Sequence, residues 1–149
     1  MPFIRLKRGR EKPVRNRHPW IFSGAITKVR GSPEPGDIVE VENSRGEFLA
    51  RGYYNPHSQI TVRILTWEKE EAINDGFWRQ RLQAAIERRQ DSVHAATSTA
   101  RRLVYAEADG LPGLVVDQYE GWLVLQSLTL GIEKWKPTLA DLLEELLSP

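Results

Sequence analysis

The sequence has no cysteine and few histidines, and both absences restrict its chemistry. Its 149 residues include three histidines, at positions 18, 57 and 94, which lie far apart along the chain. Without cysteine there is neither a disulfide nor a thiolate metal site, which fits a reducing compartment. Three scattered histidines are not a zinc-binding pattern. We therefore predict no metal site.

The sequence also lacks an apolar run long enough to span a membrane. No apolar segment follows the basic N-terminus in the manner of a signal peptide. We therefore expect a soluble, cytoplasmic protein without membrane contact. Its length suits one domain or two small ones. A hydrophobic fraction of 40% with five tryptophans is sufficient to build packed cores.

Charge is present but unevenly distributed. Residues 1–31 contain nine Lys or Arg and one Glu, a net charge of +8. The remaining 118 residues contain 12 Lys or Arg and 19 Asp or Glu, a net charge of −7. A basic end on a mildly acidic body is typical of a nucleic-acid-binding protein. A solvated basic arm and a membrane-surface patch are the alternatives.

The stretch Arg15–Gly24 combines cationic or hydrogen-bonding groups, a backbone that Pro19 forces to extend or turn, and an apolar run over residues 20–22. This combination suggests a surface that binds a polyanion. The stretch contains the cations Arg15 and Arg17 and the hydrogen-bonding His18. Trp20 and Phe22 either stack on bases, as in readers of single-stranded RNA, or belong to the core. For this pair we favour the core.

Hydrophobic alternation and turn residues predict a β-rich first part. We expect strands at 3–6, 25–30, 38–42, 47–53 and 60–67, and a short helix from Pro13 to His18. The helix should stop at His18 because Pro19 disfavours helical geometry in the residue before it. Five short strands in about 65 residues predict a small β-barrel.

The pattern changes near residues 68–73, where we place a domain boundary. We expect a helix from Asn74–Asp75 to about Gln90, a loop over 95–100 and a strand at 103–105. A hairpin follows, with strands at 114–118 and 122–128, and then a helix over about 133–147. The fold class is therefore α+β: a β-barrel module, then an α/β module with a β-hairpin and two helices.

Four motifs occur in a fixed order and carry a family resemblance. They are Lys7-x-Gly9-Arg10-Glu11-Lys12; Arg17-His18-Pro19-Trp20-Ile21-Phe22-Ser23-Gly24-Ala25; Ala50-Arg51-Gly52-x-Tyr54-Asn55-Pro56-x-Ser58-Gln59-Ile60; and Glu107-x-Asp109-Gly110-Leu111-Pro112-Gly113-Leu114-x-Val116-Asp117. Together they resemble the N-terminal part of the bacterial ribosomal RNA large-subunit methyltransferase I family.

The resemblance implies a layout and an activity. Family members make 5-methylcytosine in 23S rRNA with S-adenosylmethionine, using a PUA domain, a central α/β domain and a Rossmann-like catalytic domain. Residues 1–70 would be the PUA-like RNA-binding domain and residues 74–149 the start of the central domain. We expect the catalytic domain to be absent, because the sequence has no glycine-rich nucleotide loop and no cysteine nucleophile. The chain alone should thus bind no cofactor and be inactive.

Candidate RNA-binding residues come from the basic end and from one turn. Phosphate contacts position RNA without reading its sequence. The predicted contact residues are Lys7, Arg8, Arg10, Lys12, Arg15, Arg17, His18, Arg51 and Asn55. His18 could instead cap the short helix, and Asn55 could serve only turn geometry. We interpret Asp109 as a turn residue rather than a catalytic acid, and no catalytic residue is predicted.

Two other functions remain open, and self-association is a separate expectation. The chain could be a freestanding RNA-binding adaptor without catalysis, or a basic module that binds an acidic protein. The hairpin of residues 114–128 should leave an apolar sheet edge, and such edges pair with other chains. A homodimer through residues 101–149 is therefore one expected outcome.

Overall fold

The computed structural model describes residues 1–90 and 100–147 of the chain. It divides into two compact units, Met1–Ala72 and Ile73–Pro149. Residues 95–99 of the loop predicted at 95–100 lie outside the described residues, and Ala100 begins a strand instead. Each unit is an α+β structure, which confirms the predicted class.

The first unit contains six strands and one short helix. They are β1 (Phe3–Leu6), α1 (Lys12–Arg15), β2 (Trp20–Phe22), β3 (Ile26–Arg30), β4 (Ile38–Glu42), β5 (Phe48–Tyr54) and β6 (Ile60–Thr66). A 3₁₀ turn, Ser23–Ala25, joins β2 to β3. All five predicted strands are present within a residue or so of their predicted bounds.

The six strands form one mixed sheet in the order β2-β6-β5-β4-β1-β3. β1 pairs with β4 in parallel, and the other neighbours pair antiparallel. The small barrel that we predicted is therefore a curled six-stranded sheet with β2 and β3 at its ends. Its core is formed mainly by aliphatic side chains, including Ile4, Leu6, Val14, Ile21, Val39, Val41, Val62 and Ile64.

Two local predictions in the first unit were wrong. The helix α1 ends at Arg15 rather than at His18, because Arg17 adopts a left-handed conformation with φ of 66°. The short strand β2 was not predicted. It exists because it pairs antiparallel with β6, with Ile21 opposite Val62, about forty residues further along the chain.

The described residues of the second unit form a three-stranded sheet and two helices. They are α2 (Asp75–Gln90), β7 (Ala100–Tyr105), β8 (Leu114–Tyr119), β9 (Trp122–Ser127) and α3 (Leu130–Leu147). The strand order is β7-β8-β9, with antiparallel pairing throughout. α2 packs against β7, and α3 packs against β9 and α2.

Capping residues set where both helices begin. The Asn74 side-chain oxygen accepts a hydrogen bond from the Phe77 N–H at 3.0 Å, as predicted for the start of α2. The predicted apolar face of this helix is buried, including Trp78 and Leu82. α3 starts three residues before the predicted Glu133, because the Thr129 hydroxyl accepts the Ile132 N–H at 3.2 Å.

Candidate nucleic-acid interface

The basic arm comprises the side chains of six residues between β1 and β2. These are Lys7, Arg8, Arg10, Lys12, Arg15 and Arg17. A turn follows β1, in which the Arg10 N–H donates to the Lys7 carbonyl at 3.0 Å. The Lys7 N–H in turn donates to the Ala25 carbonyl at 2.8 Å, which anchors the turn to the end of the 3₁₀ turn Ser23–Ala25, directly before β3. Backbone hydrogen bonds therefore hold the arm in place without using its side chains.

All six cations of the basic arm are exposed. Within residues 1–90 and 100–147, five of them have no ion-pair partner: Lys7, Arg8, Arg10, Lys12 and Arg15. By contrast, Arg5 pairs with Glu42 at 3.0 Å and Arg102 with Asp117 at 2.8 Å. A cluster of exposed cations without internal partners is available to neutralise phosphates.

Arg17 differs from the other cations of the arm. Its guanidinium lies 3.9 Å from Glu68 and 5.2 Å from the centre of the Trp67 ring. The Trp67 indole N–H donates to the Val14 carbonyl at 2.8 Å, so the ring is fixed against α1. The backbone of Arg17 is held separately, because its N–H donates to the Val14 carbonyl at 3.0 Å. An exposed ion pair of this length is weak and can exchange for a phosphate.

His18 orients the backbone between the basic arm and β2. Its Nδ1 accepts the Trp20 N–H at 3.2 Å, and its ring meets the Trp20 ring edge-on at 5.8 Å. Because Nδ1 is an acceptor, the neutral ring carries its proton on Nε2. The side chain is exposed, so Nε2 is a donor that faces solvent. His18 caps a local turn and still offers a hydrogen bond to a ligand.

A cleft of about 220 Å³ lies beside the basic arm. Arg10 and His18 contribute to it together with the aromatic pair Trp20 and Phe22. Its remaining lining is apolar and consists of Pro13, Val14, Ile21 and Ala25. The structure thus brings two predicted contact residues and two aromatic rings around one concave surface.

The interpretation of Trp20 and Phe22 as core residues was wrong for Phe22. Phe22 is 49% exposed, whereas its neighbour Ile21 is 3% exposed. Alternation along β2 turns Ile21 into the core and its two neighbours outward. Trp20 is half-buried, and the Arg63 guanidinium lies 5.4 Å from its ring centre. An exposed ring at a cleft that Arg10 and His18 also line is suited to stack on a base.

Arg51, which we predicted to contact RNA, is buried in the fold instead. It is 7% exposed, and its guanidinium donates to Glu40 at 3.2 Å and to the Lys69 carbonyl at 3.2 Å. A further donor nitrogen reaches the Glu71 carbonyl. A guanidinium with these partners ties β5 to the segment after β6. The structure therefore gives Arg51 a structural role, which its sequence context did not reveal.

Asn55 also serves the local backbone. Its side-chain oxygen accepts the His57 N–H at 3.0 Å, and its own N–H donates to the Thr61 carbonyl at 2.7 Å. This is the turn chemistry that was the alternative to RNA contact. Lys28 and Arg30, two exposed cations on the edge strand β3, were not among the predicted contact residues. Their spacing of two residues could have predicted a shared basic surface, because it places both side chains on one face of a strand.

Among the described residues of the second unit, one carboxylate is buried, and its partners show a structural role. Asp109 is 5% exposed and accepts hydrogen bonds from Arg89 at 2.8 Å and 3.0 Å, from Arg88 at 2.6 Å and from the Tyr105 N–H. Burial opposes its ionisation, but the bonds from Arg89, the Tyr105 N–H and Arg88 outweigh burial and lower the pKa of the carboxyl. Among the described residues, no three His, Cys, Asp or Glu side chains are grouped to hold a metal ion.

The fold and the sequence of the first unit define a class of protein. Residues 4–67 match the family model of a PUA-like domain. The first unit is accordingly similar to PUA-like domains, and its basic arm and cleft lie within the matched residues.

Curated relatives then extend the similarity over nearly the whole chain. This chain is 47% identical over 139 residues to the ribosomal RNA large subunit methyltransferase I of Shewanella denitrificans, and 46% identical over 139 residues to that of Shewanella frigidimarina. Identity to the Photobacterium profundum protein of the same name is 45% over 141 residues. These matches cover 93–94% of the chain and confirm its resemblance to that family. The chain spans about a third of the relatives' length, 35–36%.

Solved structures share the fold at low sequence identity. A candidate SAM-dependent methyltransferase from Streptococcus mutans matches 98% of this chain and 38% of its own, with a TM-score of 0.83 and 14% identity. A second structure, a candidate methyltransferase in complex with SAH, gives the same TM-score and identity over 37% of its chain.

In the part of the chain that the structure describes, no helix is long and apolar enough to cross a membrane.

Proposed function

We propose that this chain is the RNA-binding and positioning region of a cytoplasmic, S-adenosylmethionine-dependent rRNA cytosine-5 methyltransferase. The observation that carries the proposal is the basic arm, in which five exposed cations have no carboxylate partner among the described residues. The PUA-like match and the names of the curated relatives support RNA, and 23S rRNA in particular, as the partner.

The chemistry of the arm determines how RNA is held. Flexible lysines and arginines neutralise phosphates of any sequence, so they supply affinity and orientation but little specificity. The neighbouring cleft adds the Phe22 and Trp20 rings and the His18 donor, which can meet an unpaired base at the end of a phosphate track. The chain would thereby position RNA for a catalytic domain that supplies the cofactor and the nucleophile.

A salt titration of RNA binding tests this proposal. If five phosphates are contacted, log K should fall with log salt at a slope of about −3.5 on single strands. The double variant Arg10→Glu, Arg15→Glu should flatten the slope to about −2 and weaken binding to every RNA alike. Both residues are exposed and unpaired within the described chain, so the fold should be retained.

A matched control uses two exposed cations outside the arm. Arg45→Glu with Lys69→Glu makes the same change in net charge within the first unit. This control should bind rRNA stem-loops with nearly the affinity and slope of the wild type. Equal affinity and slope for the arm variant and the wild type would show that the arm is not the RNA surface. Displacement of RNA by an acidic protein at equal charge concentration would favour the protein-binding alternative.

The second unit supports the separate proposal of a homodimer. β9 is an edge strand of six residues without a single charge, whereas the edge strands β3 and β7 carry two cations each. Charged side chains protect an edge against pairing with another chain, and β9 has none. Sedimentation at rising protein concentration should show a dimer, and Val124→Lys on β9 should abolish it. A strict monomer at high concentration would contradict this part of the proposal.

A further inference from the structure

One face of the sheet β7-β8-β9 carries a row of aromatic side chains. The register places Arg102 opposite Asp117, Tyr105 opposite Val115, and Tyr119 opposite Trp122. Since side chains alternate between faces along a strand, residues 115, 117 and 119 of β8 lie on one face with these partners. We call this the outer face.

The helices pack on the opposite face. Leu123 and Leu125 of β9 line a cavity with Ala140 and Leu143 of α3, and Trp122 borders the same cavity at the hairpin end of the sheet. Their alternation with Trp122 and Val124 places these two leucines on the other side of the sheet from the aromatic row. The outer face is therefore the side that α3 leaves uncovered.

The rings of the outer face are exposed to an unusual degree. Trp122 is 77% exposed, Tyr105 52% and Tyr119 49%. Large aromatic side chains are normally well buried, and an exposed group of them marks an interaction site. Tyr105 lies opposite Val115, which is four residues from Tyr119 along β8, so the row is about 13 Å long.

Arg102 lies in the middle of this row in a fixed position. Its guanidinium donates to both carboxylate oxygens of Asp117, at 2.8 Å and 3.2 Å, and lies 5.1 Å from the centre of the Tyr105 ring. Asp117 pairs with the edge of the guanidinium and the Tyr105 ring lies against one of its planar faces, so the opposite face is the one available to a base. Flat groups therefore follow one another along the sheet: the Tyr105 phenol, the Arg102 guanidinium, and the Tyr119 phenol beside the Trp122 indole.

Flat groups on an exposed sheet suit nucleobases better than they suit a protein partner. Unpaired bases stack on aromatic rings and on arginine planes, and one sheet can hold two or three bases in this way. Protein interfaces also use aromatic residues, but around an aliphatic, desolvated centre. Val124 is the one aliphatic residue of β9 on the outer face, and Gln126 beyond it offers an amide.

We propose that the outer face of β7-β8-β9 is a second RNA-binding surface, which stacks unpaired bases of single-stranded RNA on Trp122, Tyr119 and Tyr105. The proposal rests on the proposed RNA-binding function and adds to it. The basic arm holds phosphates of any RNA, whereas the outer face holds bases and requires them to be unpaired. Stacking involves no counterion release, so its contribution is insensitive to salt.

The test measures binding of fluorescein-labelled oligouridylate, which has no secondary structure, and of an RNA duplex of equal length. Trp122→Ala should weaken oligouridylate binding about tenfold without changing the salt slope, and should leave duplex binding unchanged. Trp122→Phe should restore most of the affinity because it restores a stacking ring. Leu123→Ala is the control: Leu123 is also an exposed residue of β9, but it lies on the opposite face. It should have no effect on RNA binding.

The outcomes separate this proposal from the one on which it rests. Wild-type affinity in Trp122→Ala, together with weakened binding in the arm variant, would overturn the stacking surface and leave the RNA-binding function intact. Failure of the wild type to bind either RNA would overturn both. Equal losses in Trp122→Ala and Leu123→Ala, or a loss confined to self-association in the ultracentrifuge, would show an apolar protein contact instead. Since Trp122 is exposed, thermal melting should show all variants folded.

Discussion

At the scale of single residues, burial decides what an arginine does. Arg10 is exposed and unpaired within the described chain, so its charge can meet a phosphate. Arg51 is 7% exposed and donates to Glu40 and to two backbone carbonyls. The two residues have the same chemistry in solution, and their surroundings give one a binding role and the other a structural role.

Arg51→Ala should therefore destabilise the first unit without altering RNA recognition. The substitution leaves Glu40 and the Lys69 and Glu71 carbonyls without their donor. We expect a loss of about 2 kcal/mol in the free energy of unfolding, less than for a fully buried ion pair because Glu40 is partly exposed. Urea unfolding measures the loss. An unchanged salt slope of RNA binding under folded conditions confirms that Arg51 makes no phosphate contact, and a flattened slope would contradict this role.

Gly52 is required by the close approach of two strands. A Cβ built at this position would lie 2.1 Å from the Arg63 carbonyl oxygen of β6, which is backbone and cannot move aside. Gly52→Ala should cost at least about 3 kcal/mol, at the upper end of overpacking effects. Gly24→Ala is the matched control, because nothing lies within 4 Å of its Cβ. Thermal melting should show a large decrease for the first variant and almost none for the second.

At the scale of elements, Asp109 fixes the connection between β7, α2 and the start of β8. It ends the 3₁₀ turn Ala106–Asp109 and accepts hydrogen bonds from Arg88 and Arg89 of α2 and from the N–H of Tyr105. Gly110 follows with φ of 68°, a conformation that favours glycine. One carboxylate thus joins a strand, a helix and a turn.

The lowered pKa of Asp109 gives the stability of the second unit a pH dependence with a defined sign. The ionised carboxylate is stabilised in the folded state, so its contribution is fully present above the unfolded value of about 3.8. The contribution should be lost as pH falls from 3.8 through the lower folded pKa. Asp109→Asn should cost about 2 kcal/mol at neutral pH and remove this component of the acid transition. Urea unfolding at several pH values measures both effects, and an identical acid transition in the variant would contradict them.

At the scale of the whole molecule, charge and length define what the chain can do alone. Residues 1–31 carry a net charge of +8 and the remaining residues a net charge of −7, so RNA should be attracted to the N-terminal residues. The chain spans 35–36% of the length of the curated relatives. Catalysis by a complete protein of this kind therefore remains a proposal, whereas RNA binding can be tested directly on this chain.

We expect no saturable binding of S-adenosylmethionine to the chain alone. The sequence contains no glycine-rich loop between a strand and a helix, which is the element that cradles such a nucleotide. Isothermal titration calorimetry should give heats of dilution only. Saturable binding in the micromolar range would contradict this expectation and point to a nucleotide site of another kind.

Local signals in the sequence determined much of the secondary structure. The Asn74 cap and the helical spacing of Trp78, Leu82, Ala85 and Ile86 were sufficient to define α2, and Glu120-Gly121 located the hairpin of β8 and β9. The accumulation of cations in residues 1–31 also predicted the basic arm, since charge requires no fold to be counted. These features depend on neighbours within a few positions of each other, and such interactions are visible in the sequence itself.

Only the tertiary structure decided the features that depend on distant partners. β2 is a strand because β6 supplies its hydrogen bonds, and three residues alone carry no strand signal. Arg51 is buried because Glu40 and the segment after β6 surround it. Phe22 is exposed because the side chain of its neighbour Ile21 is the one that points into the core. The outer aromatic face arises from the register of β7, β8 and β9, which a bulge between Arg102 and Val104 shifts. Pairing register and burial are set by contacts between segments far apart in the chain, so the sequence specifies them only through the complete fold.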